Sequence, residues 1–220
     1  MPSKSRDKFT ENSKDVERLL EIHKTIVGEA KGRKWGVEVL NKSAVVLVCA
    51  VWEAYVEDLL HEAIDHISTT LTDPSKLPLD LRKLIAKHVK EDKNDLAPWR
   101  LAGTGWQQLL INNIQSLKSQ FTSGWNTPKS NPVKELFEKG LGLPDVTIAW
   151  KRTTLTVPKA RKKLDDYVKL RGDIAHRSKA AASVTKEQAS EFLDHAKRLV
   201  EFTDTAVNDH VKSFTGSGLF

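Results

Sequence analysis

The feature that most constrains the fold is a stretch of 35 residues, Val37–Leu71, that contains neither proline nor glycine. Since these two residue types interrupt helices most strongly, the stretch predicts one helix, about 50 Å long at 1.5 Å per residue. The apolar residues at its middle, Ala44–Val51, would cover nearly all sides, which predicts a middle that is buried all round. We expect this helix to be the central element on which the others pack.

Helical spacing of apolar residues recurs on both sides of this stretch, and no segment alternates with the period of a strand. Ser13 is expected to cap the first helix, and Thr185, with Gln188 three residues later, resembles a capping box. The predicted helices cover residues 13–30, 37–71, 79–89, 106–121, 132–139, 158–177 and 185–212. The sequence therefore predicts an all-α protein, a helical bundle with a long central helix and an inserted loop and short-helix region at 72–157.

A chain of 220 residues can bury a sizeable core in one domain. We expect a flexible N-terminus over residues 1–12, a single helical domain over 13–212 and a flexible tail over 213–220. The single cysteine, Cys49, excludes an internal disulfide and, inside an apolar run, is expected to be buried.

Two further observations predict a cytoplasmic protein with no membrane contact. The N-terminus has no apolar stretch behind its basic residues, so it does not resemble a signal peptide. The longest uninterrupted apolar run, Ala44–Val51, is far too short to span a bilayer.

Positive charge is concentrated between residues 151 and 180. This segment holds ten Lys or Arg and three Asp, a net charge of +7, whereas the whole chain carries +6, so the rest sums to about −1. A basic block of this kind is a candidate contact surface for a polyanion such as RNA.

The sequence offers no metal or cofactor motif. His61-Glu62 begins like the zinc-binding pattern HExxH, but Asp65 stands where the second histidine is needed, and His66 comes one residue late. No glycine-rich phosphate loop follows a strand, and no G-x-S-x-G nucleophile turn is present. We therefore expect neither a bound metal nor a cofactor.

The remaining candidate chemistry is Arg171 and His176, five residues apart near the end of the helix predicted at 158–177, inside the basic block. Arginine four to six residues before histidine occurs three times, against about one occurrence expected by chance. The other two pairs, Arg18 with His23 and Arg82 with His88, lie in amphipathic helices and are interpreted as surface charge. An alternative for the third pair is an ion-pair network that caps the helix end without catalysis.

The stretch Y-V-K-L-R-G-D-I-A-H (Tyr167–His176) resembles the signature of HEPN domains, helical modules whose Arg-x(4–6)-His motif is associated with metal-independent RNA cleavage. The earlier stretch V-W-E-A-Y-V-E-D-L-L (Val51–Leu60) resembles the branch called RiboL-PSP-HEPN. The likeness covers roughly residues 13–212. It implies a symmetric homodimer in which two motifs meet in a cleft, and members act in toxin–antitoxin, antiviral and RNA-processing systems.

Two positions depart from this pattern. HEPN motifs usually carry a polar residue, often Asn, directly after the arginine, whereas this chain has Gly172 and then Asp173. Some HEPN toxins carry Tyr two residues after the histidine, where this chain has Ser178. The modification of that tyrosine is therefore not expected here.

The motif is chemically suited to RNA cleavage without a metal. His176, with an ordinary pKa of about 6.5, can act as base or acid, and the Arg171 guanidinium can bind phosphate. One chain supplies one such histidine, so a two-fold dimer would supply the second proton-transfer group. Asp173, one turn before His176, and Glu53 of the central helix are supporting candidates. Since residues five apart on a helix diverge by roughly 140°, Arg171 must reach around or Gly172 must loosen the turn.

The sequence therefore predicts a metal-independent endoribonuclease, with Arg171 and His176 as catalytic residues. The predicted RNA path is lined by basic residues, namely Arg177, Lys179, Arg161, Lys162 and Lys163. Trp99 and Trp125, in polar loops, are candidates for base stacking. The main alternative is a catalytically inactive HEPN-like module that binds RNA or a partner, and another is a toxin that an antitoxin or other regulatory protein holds inactive.

Overall fold

The computed structural model of the protein describes residues 1–27, 37–177 and 183–220, and within these ranges it is all-α, as predicted. Three short 3₁₀ turns and an isolated β-bridge complete the described secondary structure. The helices are α1 (Lys4–Val27), α2 (Glu38–Thr70), α3 (Leu79–Glu91), α4 (Gly105–Thr122), α5 (Ser130–Leu141), α6 (Val157–Arg177) and α7 (Lys186–Thr215).

Helix α2 is the central element, as expected, and it packs against α1, α4, α5, α6 and α7. Its Trp52 and Tyr55 side chains are 0% and 1% exposed. The Trp52 indole donates a hydrogen bond to the Pro128 carbonyl (3.0 Å), and the Tyr55 hydroxyl donates to the Val200 carbonyl (3.0 Å). Buried aromatic residues of this kind need a partner for the polar atom, so these two bonds fix the segments that surround α2.

The prediction that the middle of α2 is buried all round is wrong on one side. Ala50 is exposed, Val46 is half-buried, and Val39, near the start of the helix, is 61% exposed. The opposite side of the same turns is fully buried, as Ala44 and Val48 illustrate. The described helices surround α2 incompletely, which leaves one side of it uncovered by the described residues.

Helix α1 begins at Lys4, so the expectation of a flexible N-terminus over residues 1–12 is corrected for nearly all of that range. Phe9 is buried and packs edge-on against Tyr55, with ring centroids 5.8 Å apart. Ser13 lies inside the helix and donates to the Phe9 carbonyl, so it is not a cap.

Two groups cap α1, the local Ser3 hydroxyl, which accepts from the Arg6 backbone N–H (3.0 Å), and a carboxylate of α2. The Glu62 carboxylate accepts hydrogen bonds from the backbone N–H groups of Lys4 (3.1 Å) and Ser5 (2.9 Å). These donors have no partner within their own helix, and a negative charge at this end also suits the helix dipole.

The C-terminal tail is also more ordered than expected. Helix α7 continues to Thr215, and Gly216 ends it with a positive φ of 87°. The Leu219 backbone N–H then donates to the Asn208 side chain (2.8 Å), which returns the tail to α7. The expectation of a flexible tail over residues 213–220 is therefore corrected.

The region 72–157 packs directly on the central helix. The Lys118 ammonium lies 2.6 Å from the Asp65 carboxylate, and the Gln107 amide donates to the Leu71 carbonyl (2.6 Å). Its buried residues, Leu81 and Leu110 among them, belong to the same hydrophobic core as α2. The boundaries of the domain at 13–212 and of the insert remain predictions.

Helix α5 begins two residues earlier than the expected start at Pro132. The Ser130 backbone N–H and hydroxyl donate to the Asp165 carboxylate of α6, at 2.7 and 2.9 Å. This carboxylate supplies hydrogen-bond acceptors at the N-terminus of α5, where the backbone N–H groups have no partner within the helix.

The predicted capping box at the start of α7 is confirmed, because Thr185 and Gln188 exchange side-chain to backbone hydrogen bonds. Further along α7, the His195 ring is 1% exposed and lies 3.1 Å from the Ala160 carbonyl of α6. Burial lowers the pKa of His195 to about 4, so the ring stays neutral in the folded protein.

We predict that His195 makes the protein less stable as the pH falls from 6.5 towards 4. The unfolded chain protonates this histidine near its ordinary pKa of 6.5, whereas the folded state does so only near 4, so the unfolded state binds more protons in this window. His195→Gln should therefore show a smaller loss of urea midpoint between pH 7 and pH 4.5 than the native protein. His88→Gln on α3 provides the control for the exchange of a histidine for glutamine. An equal loss of urea midpoint between pH 7 and pH 4.5 in His195→Gln and in the native protein would contradict the prediction.

Candidate functional site

Arg171 continues the buried side of helix α6 towards α2. Leu164 and Val168, seven and three residues earlier on the same side, are both buried, and Arg171 itself is half-buried. Burial raises the pKa of two groups of α2, the Cys49 thiol and the Glu53 carboxyl, and the positive charge of Arg171 offsets part of each rise. Arg171 therefore lies where α6 meets the middle of α2.

Glu53 is an acidic residue of α2 on which the charge of Arg171 acts, and it is half-buried. Burial raises the pKa of its carboxyl, and the charge of Arg171 offsets part of that rise. One turn later, burial also raises the pKa of Glu57, with further contributions from Glu53 and Asp58. A carboxyl whose pKa is displaced upwards can hold a proton closer to neutral pH, and such groups cluster at functional sites.

Gly172 does not loosen the helix. Helix α6 is continuous from Val157 to Arg177, and φ at Gly172 is not in the left-handed region. A Cβ atom added at this position would meet no atom within 4 Å. The glycine is therefore required neither by the backbone conformation nor by a close contact with the described residues.

Because α6 is a regular helix, its geometry fixes the angle about the helix axis between positions 171 and 176. Positions 171 and 176 are separated by roughly 140° about the axis of α6, so they leave the helix on different sides. His176 and Arg177 form its last turn, with Asp173 half-buried one turn before His176. The side chains of His176 and Arg177, and the whole of Ser178 and Lys179, lie outside the described residues.

The predicted basic contacts in the first half of α6 are all paired with acids. The Arg161 guanidinium donates to Asp145 (2.7 Å) and to the Thr147 hydroxyl (2.7 Å), which ties the 3₁₀ turn Val146–Trp150 to α6. Lys162 pairs with Asp166 at 2.6 Å. Lys163 pairs with Glu191 of α7 at 3.3 Å. The positive block is thus partly neutralised within the chain.

These pairs differ in strength. The pair between Arg161 and Asp145 is the more buried, and its second hydrogen bond to Thr147 fixes the guanidinium in place. The pairs of Lys162 and Lys163 are largely exposed, and exposed ion pairs contribute only about 0–1 kcal/mol. These two lysines can therefore exchange their partners for a phosphate more readily than Arg161.

A shallow groove of about 300 Å³ runs along the same half of α6. Its lining consists of Lys159, Lys162, Lys163, Asp166 and Tyr167. Lys159 is exposed and was not among the residues predicted from the sequence, although its place in the basic block was a usable signal. The Tyr167 ring is stacked on Phe192 at 4.3 Å, so this face of the ring is occupied.

Neither Trp125 nor Trp99, the two tryptophans proposed for base stacking, lines the groove along α6. Trp125 is partly buried and packs against the hydrophobic core, which occupies much of its ring. Trp99 is 76% exposed and belongs to the 3₁₀ turn Ala97–Leu101 in the insert, which contacts α3 and α4.

The stretch that begins like HExxH lines a separate cavity of about 500 Å³ between α2 and the start of α1. Three of its polar residues have partners, as Glu62 accepts from Ser5, Asp65 pairs with Lys118 and His66 contacts Ser217. Nε2 of His61, by contrast, is buried without a hydrogen-bond partner among the described residues. Among the described residues, no three His, Cys, Asp or Glu side chains are arranged to hold a metal ion.

Over residues 10–209 the chain matches the family described as RiboL-PSP-HEPN. This range includes Val51–Leu60 and Tyr167–His176, the two stretches on which the resemblance was based. No curated protein and no solved structure matches the chain.

We predict that Gly172→Ala raises the free energy of unfolding by about 1 kcal/mol, because alanine is the better helix former and the added methyl group meets open space. Gly140 of α5 is the matched control, since a Cβ there would lie 2.5 Å from Cδ1 of Leu60, and Gly140→Ala should be destabilising. Urea unfolding measures the free energy of unfolding of both variants. A loss of stability in Gly172→Ala would show that something occupies the space beside this glycine.

We also predict that Glu53→Gln raises the free energy of unfolding at pH 7. The pKa of Glu53 is raised in the folded state, so its ionisation costs stability as the pH rises through that value, and a neutral amide removes this cost. Urea midpoints at pH 5 and pH 7.5 should differ less in the variant than in the native protein, apart from the effects of other groups. A variant less stable at pH 7 would mean instead that ionised Glu53 is stabilised by Arg171.

Proposed function

Since the chain belongs to the RiboL-PSP-HEPN family, we propose that it is an endoribonuclease that cleaves RNA without a metal ion. One observation carries the proposal. The two family stretches are more than a hundred residues apart in the sequence, yet α2 and α6, which carry them, pack against each other, and the charge of Arg171 acts on the Glu53 carboxyl, partly offsetting the rise in its pKa that burial causes. A half-buried arginine that forms no ion pair with another described side chain is suited to binding a phosphate.

The proposed reaction is a transfer within the RNA strand. The 2′-oxygen attacks the adjacent phosphorus, and the bond from phosphorus to the 5′-oxygen breaks, which leaves a 2′,3′-cyclic phosphate and a 5′-hydroxyl. Arg171 stabilises the negative charge that develops on the phosphate oxygens. His176 accepts the proton of the 2′-hydroxyl, and a second histidine donates a proton to the departing 5′-oxygen.

The second histidine comes from a second copy of the chain in this proposal. One motif holds one histidine, and the regular helix separates positions 171 and 176 by roughly 140° about its axis. A two-fold homodimer brings Arg171 of one copy and His176 of the other within reach of the same phosphate.

The supporting residues divide into two groups. Glu53 positions Arg171, and Asp173, one turn before His176, orients the imidazole. The second group binds the RNA backbone. Three of its members, Lys162, Lys163 and the newly identified Lys159, lie roughly 12–18 Å from Arg171 along α6. The other two, Arg177 and Lys179, come close to the motif in the sequence. We assign Arg161 a structural role instead, because Asp145 and Thr147 hold it.

A second candidate function is supported by Gly172. HEPN motifs usually carry a polar residue directly after the arginine, and a chain that lacks it fits a catalytically inactive module that binds RNA or a protein partner. In either case we place the protein in the cytoplasm, away from membranes. A role as a toxin or in antiviral defence, under the control of an antitoxin or other regulatory protein, is the biological setting that the family suggests.

The decisive variant is His176→Ala, tested on single-stranded and transfer RNA in excess EDTA. Removal of a general acid or base typically costs a factor of about 10²–10⁴, so cleavage should fall by at least about 100-fold while RNA binding is retained. The matched control is His88→Ala on α3, because Arg82 and His88 follow the same sequence pattern outside the proposed site. This control should cleave at the native rate.

Two outcomes would overturn the assignment. Equal cleavage by the native protein and His176→Ala would place the activity elsewhere. RNA binding without cleavage by either protein would favour the inactive module, and Gly172→Asn then becomes informative, since the open space beside Gly172 accepts a side chain. Cleavage gained in that variant would identify the missing polar residue as the reason for the inactivity.

A further inference from the structure

Trp99 is exposed to an extent that is unusual for tryptophan. It is 76% exposed and does not belong to the hydrophobic core, whereas Trp52, Trp106 and Trp150 are each at most 5% exposed. A tryptophan that is covered removes roughly 150–250 Å² from water, so leaving it in water forgoes a large hydrophobic contribution. An aromatic ring that folding leaves open in this way is available to a ligand.

The turn that carries Trp99 is fixed by local contacts. The Arg100 guanidinium donates to the Asp92 carboxylate at 2.8 Å, which ties the turn to the end of α3. Ala97 is 1% exposed and anchors the other end of the turn in the protein. A Cβ atom at Gly105 would collide with the Arg100 carbonyl, so the close return of the chain at the start of α4 requires glycine. Trp99 is therefore presented on an ordered backbone, and a ligand has little to immobilise beyond the side chain itself.

The charges beside Trp99 favour an anionic ligand. Two of the three acids in residues 90–100 are already neutralised, Glu91 by Lys87 (3.8 Å) and Asp92 by Arg100 (2.8 Å). Lys90 and Lys93, in contrast, are exposed and form no ion pair with the described residues, while Asp95 is the remaining acid of the segment. The unpaired charge around the turn is therefore positive, and exposed lysines of this kind bind phosphates.

The apolar patch around Trp99 is too small for a stable protein interface. In and next to the turn, only Leu96 (66%) and Leu101 (36%) add exposed large apolar side chains. One indole and two leucines fall well short of the roughly 1,000 Å² that a specific protein interface buries. A single nucleobase, in contrast, needs only one face of an aromatic ring. An aromatic ring with cations beside it is the combination through which proteins hold single-stranded RNA.

Trp99 belongs to a different part of the molecule from the cleavage motif. The helix that follows its turn is anchored at the end of α2, where the Gln107 amide donates to the Leu71 carbonyl (2.6 Å). Leu71 comes 18 residues after Glu53, about 27 Å further along the chain at the helical rise. A stacked trinucleotide is only about 10 Å long at 3.4 Å per nucleotide, so it cannot reach both regions.

We propose that Trp99 stacks on a base of single-stranded RNA, while Lys90 and Lys93 bind the neighbouring phosphates. This second contact holds long RNA at a distance from the cleavage motif, so the enzyme prefers long single strands to short ones. The choice of RNA as the ligand rests on the proposed function. The open ring, its ordered turn and its unpaired lysines are properties of the structure alone.

The first test is the affinity for a single-stranded oligonucleotide of about 12 nucleotides, measured by fluorescence anisotropy. Its riboses carry 2′-O-methyl groups, so the proposed reaction cannot cleave it during the measurement. Loss of one base stack in Trp99→Ala should weaken binding about 5- to 150-fold, whereas Trp99→Phe keeps a ring and should retain most of the affinity. Leu79→Ala is the matched control, because Leu79 of α3 is also an exposed apolar residue (57%) and its loss should leave the affinity unchanged.

Two further measurements separate stacking from charge. An oligonucleotide of the same length without bases keeps its phosphates, so it should bind the native protein and Trp99→Ala with equal affinity. Tryptophan fluorescence of the native protein should fall when the complete oligonucleotide binds, because a base covers the indole. The same titration of Trp99→Phe should show a much smaller fall, since Trp52, Trp106 and Trp150 are buried.

Three results would overturn the inference. They are equal affinity of the native protein and Trp99→Ala for the complete oligonucleotide, an equal loss of affinity in Trp99→Ala for the oligonucleotide without bases, and fluorescence quenching as strong in Trp99→Phe as in the native protein. The first result would instead favour a protein partner as the ligand of Trp99.

Cleavage of unmodified RNA separates this inference from the proposed function. The native protein and Trp99→Ala should cleave a trinucleotide at the same rate, and Trp99→Ala should be slower only on long RNA at low concentration. Cleavage of long RNA that does not depend on Trp99 would refute the stacking contact alone. Binding that depends on Trp99 in a protein that never cleaves would refute the ribonuclease alone.

Discussion

The burial of helix α2 is the constraint on which the rest of the structure depends. Its 33 residues are apolar on most sides, so five other helices pack around it. The buried indole and hydroxyl of Trp52 and Tyr55 must also find acceptors, and they find them in the Pro128 and Val200 carbonyls. The next residue after Trp52, Glu53, consequently has a fixed place on the helix that α6 packs against, and the charge of Arg171 acts on it. The buried core residues and the candidate site residue of α2 therefore lie on the same few turns of this helix.

Features with a local cause could be predicted from the sequence. The length of α2 follows from the absence of proline and glycine, the start of α7 follows from Thr185 and Gln188, and the burial of Cys49 follows from its apolar run. The prediction failed where a partner distant in the sequence decides the structure. Helix α1 begins early because Glu62, on another helix, accepts from its first two N–H groups in addition to the local cap at Ser3. Ala50 is exposed because helix packing, and not the sequence pattern, determines which side stays open.

The same limit applies to the candidate site. The motif around Arg171 and the relevance of Glu53 could be recognised from two short stretches. The ion pairs between Arg161 and Asp145 and between Lys163 and Glu191 could not be predicted from the sequence. The net charge of a segment does not show which residues lie beside each other in the fold. In the described part of the basic block, three cations, Arg161, Lys162 and Lys163, are paired with acids within the fold. Binding of RNA would then depend on a few cations, with Arg171 at the centre, more than on the total charge.

The central claim is that the end of α6 cleaves RNA through the 2′-hydroxyl without a metal ion. The most direct measurement is the chemistry of the product ends, made in EDTA on an RNA oligonucleotide and on the same oligonucleotide with 2′-deoxy nucleotides. The account predicts 2′,3′-cyclic phosphate and 5′-hydroxyl ends, and no cleavage after a deoxy nucleotide. Products with 3′-hydroxyl and 5′-phosphate ends, cleavage of the deoxy strand, or a requirement for added Mg²⁺ would contradict it.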